Sequence, residues 1–471
     1  MTGTAAGSSE APAPSGSRPA RRGPADLPFD FADGALVERL AAERAEPGWL
    51  VDDRRAAMDR FAALPVEANR LYTTYVDLRS ADLFSAQPHV RTATAAALPG
   101  NLPDGAAGVL ELREDGVVAA TLAAALVEQG VTLETLGAAV ERDAAGIRAA
   151  LAETSLPADD KLAWLSRGAW SQGIHLHVPA GVRVEQPIIF RWGAGVPGRA
   201  LLGRTLVRLD DGAEASVVEE LVAAGPDIAC AEGEPVPQAL FGATTEIVLG
   251  RSALLRLASI QDLPAGTVAF QQRTARVGEA ASLRLAMAQL GSRLVRSRID
   301  NRLEGDGGSV EQVEIVFGGQ DQLFDLTSYT RHLGRDTTGN LLSKAVLAGG
   351  ARAYMKGLIS IERSARGTDS FLGEFGMLLD RRSRSVTIPS LEIDQPDCRR
   401  AGHSSSVGPI DPAQVFYLMS RGISEDDAHR FITLGFLEPV VARVPLEEER
   451  DRLWAMLEDK WTASRGGAAA A

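Results

Sequence analysis

The chain has 471 residues, 45% apolar and 24% charged, with 49 basic against 62 acidic side chains and a net charge of −13. That length allows two or three domains with their own cores, and the composition is that of a globular protein. The acidic balance excludes a broad nucleic-acid surface, which needs a basic footprint. No run of about 18 apolar residues occurs, so no transmembrane helix is predicted. Two cysteines, Cys230 and Cys398, are too few for a disulfide framework or a four-cysteine metal site, and a reducing, cytoplasmic setting is expected.

Residues 1–28 are rich in Ala, Pro, Gly and Ser without an apolar centre, and read as a disordered tail rather than a secretory signal. Pro28 to about Leu64 is predicted helical. Leu36, Leu40 and Ala41 form one stripe, and Met58, Phe61 and Leu64 another. Asn69 to Asp82 is aromatic without clear period. A strand is expected at Gly108 to Leu112, then helices over Val118 to Gly130 and Leu133 to Glu153, with Gly130 as a stop. Residues 29–165 thus read as a helical α/β domain.

Near Ile174 the period changes to two. Short runs rich in Val, Ile and Leu recur, among them Thr205 to Leu209, Ser216 to Leu221, Thr245 to Leu249, Leu254 to Ser259, Ser282 to Ala286 and Val310 to Phe317. Gly212, Gly250, Gly278, Gly307 and Gly350 mark turns. Ala223 to Val236, which carries Cys230, reads as an insertion that lengthens the first interval. Residues 166–410 are therefore a β-domain, either a sandwich or barrel or a β-solenoid whose coils bury their apolar faces on their neighbours.

Helices return in residues 411–471. Asp411-Pro412 is an N-cap followed by proline at the first position. Ser424 opens a second helix expected to end at Gly435, and Leu446 to Trp461 gives a third.

Phosphate-loop, dinucleotide, zinc-protease and serine-hydrolase motifs are absent. Gly305, Gly307, Gly308, Gly318 and Gly319 read as solenoid corners, since no helix follows them. His175 and His177 share one strand face, which is expected to be a polar outer face. His332 is expected to be a surface or hydrogen-bonded strand residue; His89 and His429 carry no signal. Glu311 with Glu314, or Asp321 with Asp325, would be the acids of a carbohydrate-active β-helix enzyme, a weaker alternative. Asp397 to Asp411 stands out because Cys398 and His403 sit where the β-domain gives way to helices.

Several segments resemble the SufB/SufD family of iron–sulfur cluster assembly proteins. They are Asp160 to Leu165, Gln172 to Val182, Thr337 to Leu347, Leu378 to Ile393, and above all Ala401-Gly402-His403-Ser404-Ser405-Ser406-Val407-Gly408 running into Val415-Phe416-Tyr417-Leu418-Met419-Ser420-Arg421-Gly422. The last looks most like SufD. The Cys-Gly-Ala-His type of segment expected of SufB is missing, and Ala401 stands where many relatives carry cysteine, so Cys398 inherits no role. The resemblance implies a mainly β fold, a right-handed parallel β-helix core flanked by an N-terminal helical α/β domain and a C-terminal helical domain. It implies a non-catalytic scaffold subunit pairing with a SufB-like subunit and a SufC-type ATPase, or a homo-oligomeric scaffold of the same type. No nucleic-acid or membrane partner is implied. It further implies a transient iron–sulfur cluster shared with the partner, and allows for reduced flavin in the complex. His403 is the candidate metal ligand. Phe416, Tyr417, Phe431 and Phe436 are the candidate ATPase contacts, and coils from about Leu341 to Ile393 the candidate pairing surface.

Overall fold

A computed structural model describes residues 31–32, 34–72, 75, 78, 81, 87–88, 102–153, 156–224 and 237–466. The N-terminal tail, His89, most of the insertion with Cys230, and the last five residues lie outside these. Helices α1 (Gly34–Arg44) and α2 (Gly48–Ala63) bury the predicted Leu36, Leu40, Met58 and Phe61. The short strand β1 (Gln87–Pro88) precedes an antiparallel hairpin of β2 (Gly108–Arg113) and β3 (Gly116–Leu122). The expected helix at Val118 is thus a strand. Glu114-Asp115 forms the hairpin turn, and Gly116, at φ +137° and paired with Arg113, returns Val117 onto Leu112 of β2. The helix is confined to α3 (Ala124–Glu128) and stops at Gly130, φ +83°. Strand β4 (Thr132–Thr135) and helices α4 (Leu136–Arg142), α5 (Ala144–Glu153) and α6 (Lys161–Ala169) lead into the β-domain.

There the chain alternates between two sheets. Strands β5 (Gln172–Val178), β7 (Arg199–Leu209), β9 (Ala239–Leu249), β11 (Thr267–Val277), β13 (Leu294–Leu303), β15 (Leu323–His332), β17 (Arg352–Ile361) and β19 (Arg384–Ile393) pair in that order in one parallel sheet. Strands β6 (Ile188–Ala194), β8 (Glu214–Ala223), β10 (Leu254–Gln261), β12 (Ser282–Gln289), β14 (Ser309–Gly318), β16 (Thr338–Leu347), β18 (Asp369–Leu378) and β20 (Arg400–Gly408) form the other. This is a parallel β-helix of about eight coils. Leu294 pairs with Leu323 and Leu323 with Arg352, so one coil takes about 29 residues there. Between β7 and β9 the step is 40 residues (Leu209 to Leu249), which accommodates the insertion.

Each strand alternates between an inner and an outer face. Inner residues such as Leu255, Leu285, Val316, Val295 and Met355 fill one continuous core. The outer face of the first sheet buries Leu202, Leu240, Phe270 and Leu294 against α1, α2 and α6. The outer face of the second buries Ile260, Ile315, Phe317 and Val346 against helices that follow the last coil. These helices are α7 (Pro412–Met419), α8 (Glu425–Val441) and α9 (Glu447–Gly466), of which α8 and α9 supply the cover and α7 packs on α8. Asp411 Oδ1 accepts from Ala413 N–H at 2.8 Å and Ser424 Oγ from Asp427 N–H at 3.1 Å, so both caps form. Helix α8 runs past Gly435 because Leu437, Val440 and Val441 remain on its buried side.

One corner stacks in every coil. Gly181, Gly212, Ser252, Ala280, Gly307, Asp336 and Gly367 all have φ between +53° and +74°. Each donates its N–H to a carbonyl one coil on, as Ala280 does to Asp306 and Gly307 to Arg335. Gly305, Gly307 and Gly308 belong to these corners, as expected.

Candidate functional site

Strands β19 and β20 end their sheets; among the described residues β19 bonds only to β17 and β20 only to β18. The register sets Leu372 beside His403, Glu374 beside Ser405 and Gly376 beside Val407. Leu372 and Glu374 are at most 1% exposed, whereas His403, Ser405 and Val407 face solvent. The cause is termination: an inner residue is covered by the next coil, and β20 has none. The core column is therefore open at its end, with His403 in it. By alternation Ser405 shares the His403 face and Ser404 and Ser406 do not. Val407 and Ile393, 39% and 45% exposed, add apolar surface to this end. The free strands thus run to Gly408, beyond the expected Leu341 to Ile393. Leu341, Leu347 and Ile359 are interior residues.

Cys398 is a free, half-buried thiol packed with Leu391 and Ala401 against Leu341, Ile359 and Leu372. Among the described residues no three His, Cys, Asp or Glu side chains gather as a metal site.

One coil below the open end lies a residue that sequence reasoning missed. Burial pushes the Glu374 carboxyl up to about 7, against the opposing pull of the Ile388 N–H, 2.9 Å from Oε2, and of Lys356. The alternation Ser370, Leu372, Glu374, Gly376 assigns it to the inner face, but a carboxylate is by default assigned to solvent.

The helical surface sorts the four aromatic candidates. Phe416, Tyr417 and Phe431 are 73%, 57% and 50% exposed, with Met419 also uncovered. Phe436 instead packs toward the sheet: Lys344 Nζ lies 4.6 Å from its ring centre and donates to its carbonyl at 3.0 Å.

Three of the other described histidines have side-chain partners. His332 is fully buried, with Nδ1 2.8 Å from Thr337 Oγ1 and Nε2 3.0 Å from Ser370 Oγ, and burial lowers it to about 4. His175 and His177 do share the outer face, stacked at 6.5 Å. They meet carboxylates remote in sequence, Glu134 at 3.3 Å and Asp210 at 2.8 Å, and His175 is buried. The proposed acid pairs diverge. Glu311 lies outward on Arg443, while Glu314 is buried inside. Asp321 is an exposed corner residue, while Asp325 is buried between Arg296 at 3.1 Å and Lys356 at 2.5 Å. Neither pair converges on a sugar-sized cleft.

Residues 191–436, more than half of the chain, match the family model described as SUF system FeS cluster assembly, SufBD core domain. The chain belongs to the SufBD family. The match begins in β6 and ends in α8, so it covers the open end and both helices that carry the exposed aromatics. Similar SufBD relatives include an iron–sulfur cluster assembly SufBD family protein of Staphylococcus haemolyticus, 26% identical over 425 residues, 88% of this chain and 89% of that one. The iron–sulfur cluster assembly protein SufB of Bacillus subtilis is 27% identical over the same span and shares. Among the described residues of this SufBD protein, no helix is long and apolar enough to cross a membrane.

Proposed function

We propose that this chain is a SufD-like, non-catalytic scaffold subunit. It pairs through its open solenoid end with a SufB-like subunit, binds a SufC-type ATPase through α7 and α8, and transiently holds iron or a nascent cluster at His403. The observation that carries this reading is the uncovered core column at β20, in which His403 is exposed while its counterpart Leu372 is buried. Open strand edges and an open core end require a cap, and strand addition by a second chain supplies both. Neutral imidazole is a suitable borderline donor for iron. One histidine cannot hold a cluster, so thiolates come from the partner or from sulfide. That division of labour fits a chain with two cysteines, one of them packed away. The SufD rather than SufB assignment is supported by Ala401 and by the missing Cys-Gly-Ala-His segment.

The test is reconstitution with candidate SufB-like and SufC-type chains. His403→Ala is expected to assemble normally and to lose iron or cluster content. Normal content in an intact complex removes His403 from the mechanism, and a stable homo-oligomer that ignores the partner chains replaces the heteromeric reading.

A further inference from the structure

Helix α9 begins against the outer face of β8 in an unusual way. Glu449, in its first turn, is 5% exposed, and Glu220 of β8 is fully buried beneath it. The two carboxyl groups face each other across one shared donor. A single nitrogen of Arg452 donates to both, at 2.7 Å to Glu220 and 3.1 Å to Glu449. From the sheet side Arg191 of β6 donates to the other oxygen of Glu220 at 2.5 Å and to Glu111 of β2 at 3.4 Å; Arg113 also holds Glu111. These are the charged groups around the contact: Glu111, Arg113 and Arg191 below, Glu220 at its centre, Glu449 and Arg452 above.

Two buried carboxyl groups brought this close can hydrogen-bond each other only while one of them keeps its proton. We propose that Glu449 and Glu220 form a proton-operated latch, holding the first turn of α9 on the sheet and releasing it on the alkaline side of neutrality. Burial, reinforced by the Glu220 hydrogen bond and charge, pushes Glu449 up to about 7. Burial opposes ionisation of Glu220 too, but the Glu449 hydrogen bond and Arg191 outweigh it and keep Glu220 below its ordinary value. When the shared proton leaves, two buried negative charges face each other. The arginines compensate weakly: Arg452 and Arg191 are 38% and 28% exposed and screened by water, while the Glu220 and Glu449 side chains are 1% and 7% exposed. The far part of α9 stays anchored by Leu453, Leu457 and Trp461 in the core, and by Lys460, which donates to Phe317 O at 3.0 Å. The loosening is therefore local to the first turn. The sign is fixed: a carboxyl raised in the folded state stabilises docking below its unfolded value of about 4.5, and that contribution is lost as pH rises through about 7. The latch stands whatever α7 and α8 bind.

Hydrogen exchange of the full chain, corrected for the intrinsic pH dependence of exchange, tests this. Protection of the Arg450 to Trp454 amides is expected to fall about tenfold between pH 6 and pH 8, one unit either side of the midpoint, while the centre of α8 stays constant. Glu449→Gln keeps a permanent donor to Glu220, and Glu220→Gln removes the sheet-side charge. Glu449→Gln, which has no proton to lose there, is expected to hold protection within about twofold over that range, and Glu220→Gln to show a smaller fall than the wild type. Pairing both with the wild type keeps the result readable if one variant folds poorly. Wild-type protection that is flat with pH, or that falls equally in the variants, overturns the latch.

Discussion

Leu372 and His403 occupy the same column of the solenoid interior one coil apart, the first wholly buried and the second open to solvent. The core of this chain has no natural stop at β20, and the residues left uncovered there are the ones a second chain would meet.

That relationship predicts a separation of stability from assembly. Val407→Asp and Ile393→Asp alter exposed positions, and are expected to change folding stability by about 0.5 kcal/mol or less. They are expected to weaken association with a SufB-like partner at least about tenfold, because each places an unpaired charge in a desolvated contact. Leu372→Ala, one coil below, is expected to cost about 2–5 kcal/mol of stability. Urea unfolding and sedimentation of the mixed chains read the two effects. Equal loss of folding and pairing in the Asp variants would falsify the assignment of this end as a partner surface.

The helical face yields a second contrast. Phe416→Ala, Tyr417→Ala and Phe431→Ala are expected each to reduce binding of a SufC-type ATPase by about tenfold or more while barely moving the thermal midpoint. Phe436→Ala is expected to do the reverse, losing about 1–3 kcal/mol of stability through contacts with the sheet. Calorimetric titration of the ATPase against each variant decides; undiminished binding in all three exposed-ring variants removes this face from the interface.

Much of this was legible in the sequence. Alternation located the strands, and Asp411 and Ser424 located the starts of α7 and α8. The repeat was obscured because the corner that sets it uses Ser252, Ala280 and Asp336 in place of glycine, so intervals counted between glycines come out uneven. The β2–β3 hairpin was lost because Ala119 to Leu126, rich in Ala and Leu, reads as helix when the Glu114-Asp115 turn before it is overlooked. His403 was visible as a motif, but its exposure was not, since that depends on β20 being the last coil. The Glu220–Glu449 contact joins residues more than 200 positions apart, and no local pattern announces it.

The corner also predicts stability changes of opposite sign. Ala280 at φ +53° carries the cost of a left-handed Cβ. Ala280→Gly is expected to gain about 0.5–1 kcal/mol after the added unfolded-state entropy of glycine is subtracted. Gly305→Ala is expected to lose about 1–3 kcal/mol or more, because a Cβ there would fall 2.0 Å from the Glu279 nitrogen in the coil beneath. Thermal unfolding of the two variants checks the sign, and a destabilised Ala280→Gly contradicts the argument.

His332 and Glu374, both facing the interior, predict two opposed pH dependences in one range. Burial lowers His332 from 6.5 to about 4, so the folded chain refuses a proton that the unfolded chain takes up, and stability falls as pH drops from 6.5 toward 4. Burial raises Glu374 from 4.5 to about 7, so the folded chain keeps a proton that the unfolded chain has released, and stability falls as pH rises from 4.5 toward 7. Each is worth about 3 kcal/mol over its full range, and between pH 4.5 and 6.5 they nearly cancel. Glu374→Gln retains an acceptor for the Ile388 N–H, and removes the term that falls with rising pH. Relative to the wild type its stability is expected to climb by about 2 kcal/mol from pH 4.5 to 6.5. His332→Gln is expected to show the mirror image, dropping by a similar amount over the same interval against a lower baseline. Urea unfolding at pH 4.5, 5.5 and 6.5 measures both differences. Parallel curves for wild type and Glu374→Gln would mean that Glu374 is ionised in the folded chain and that the carboxyl is better solvated than its burial implies.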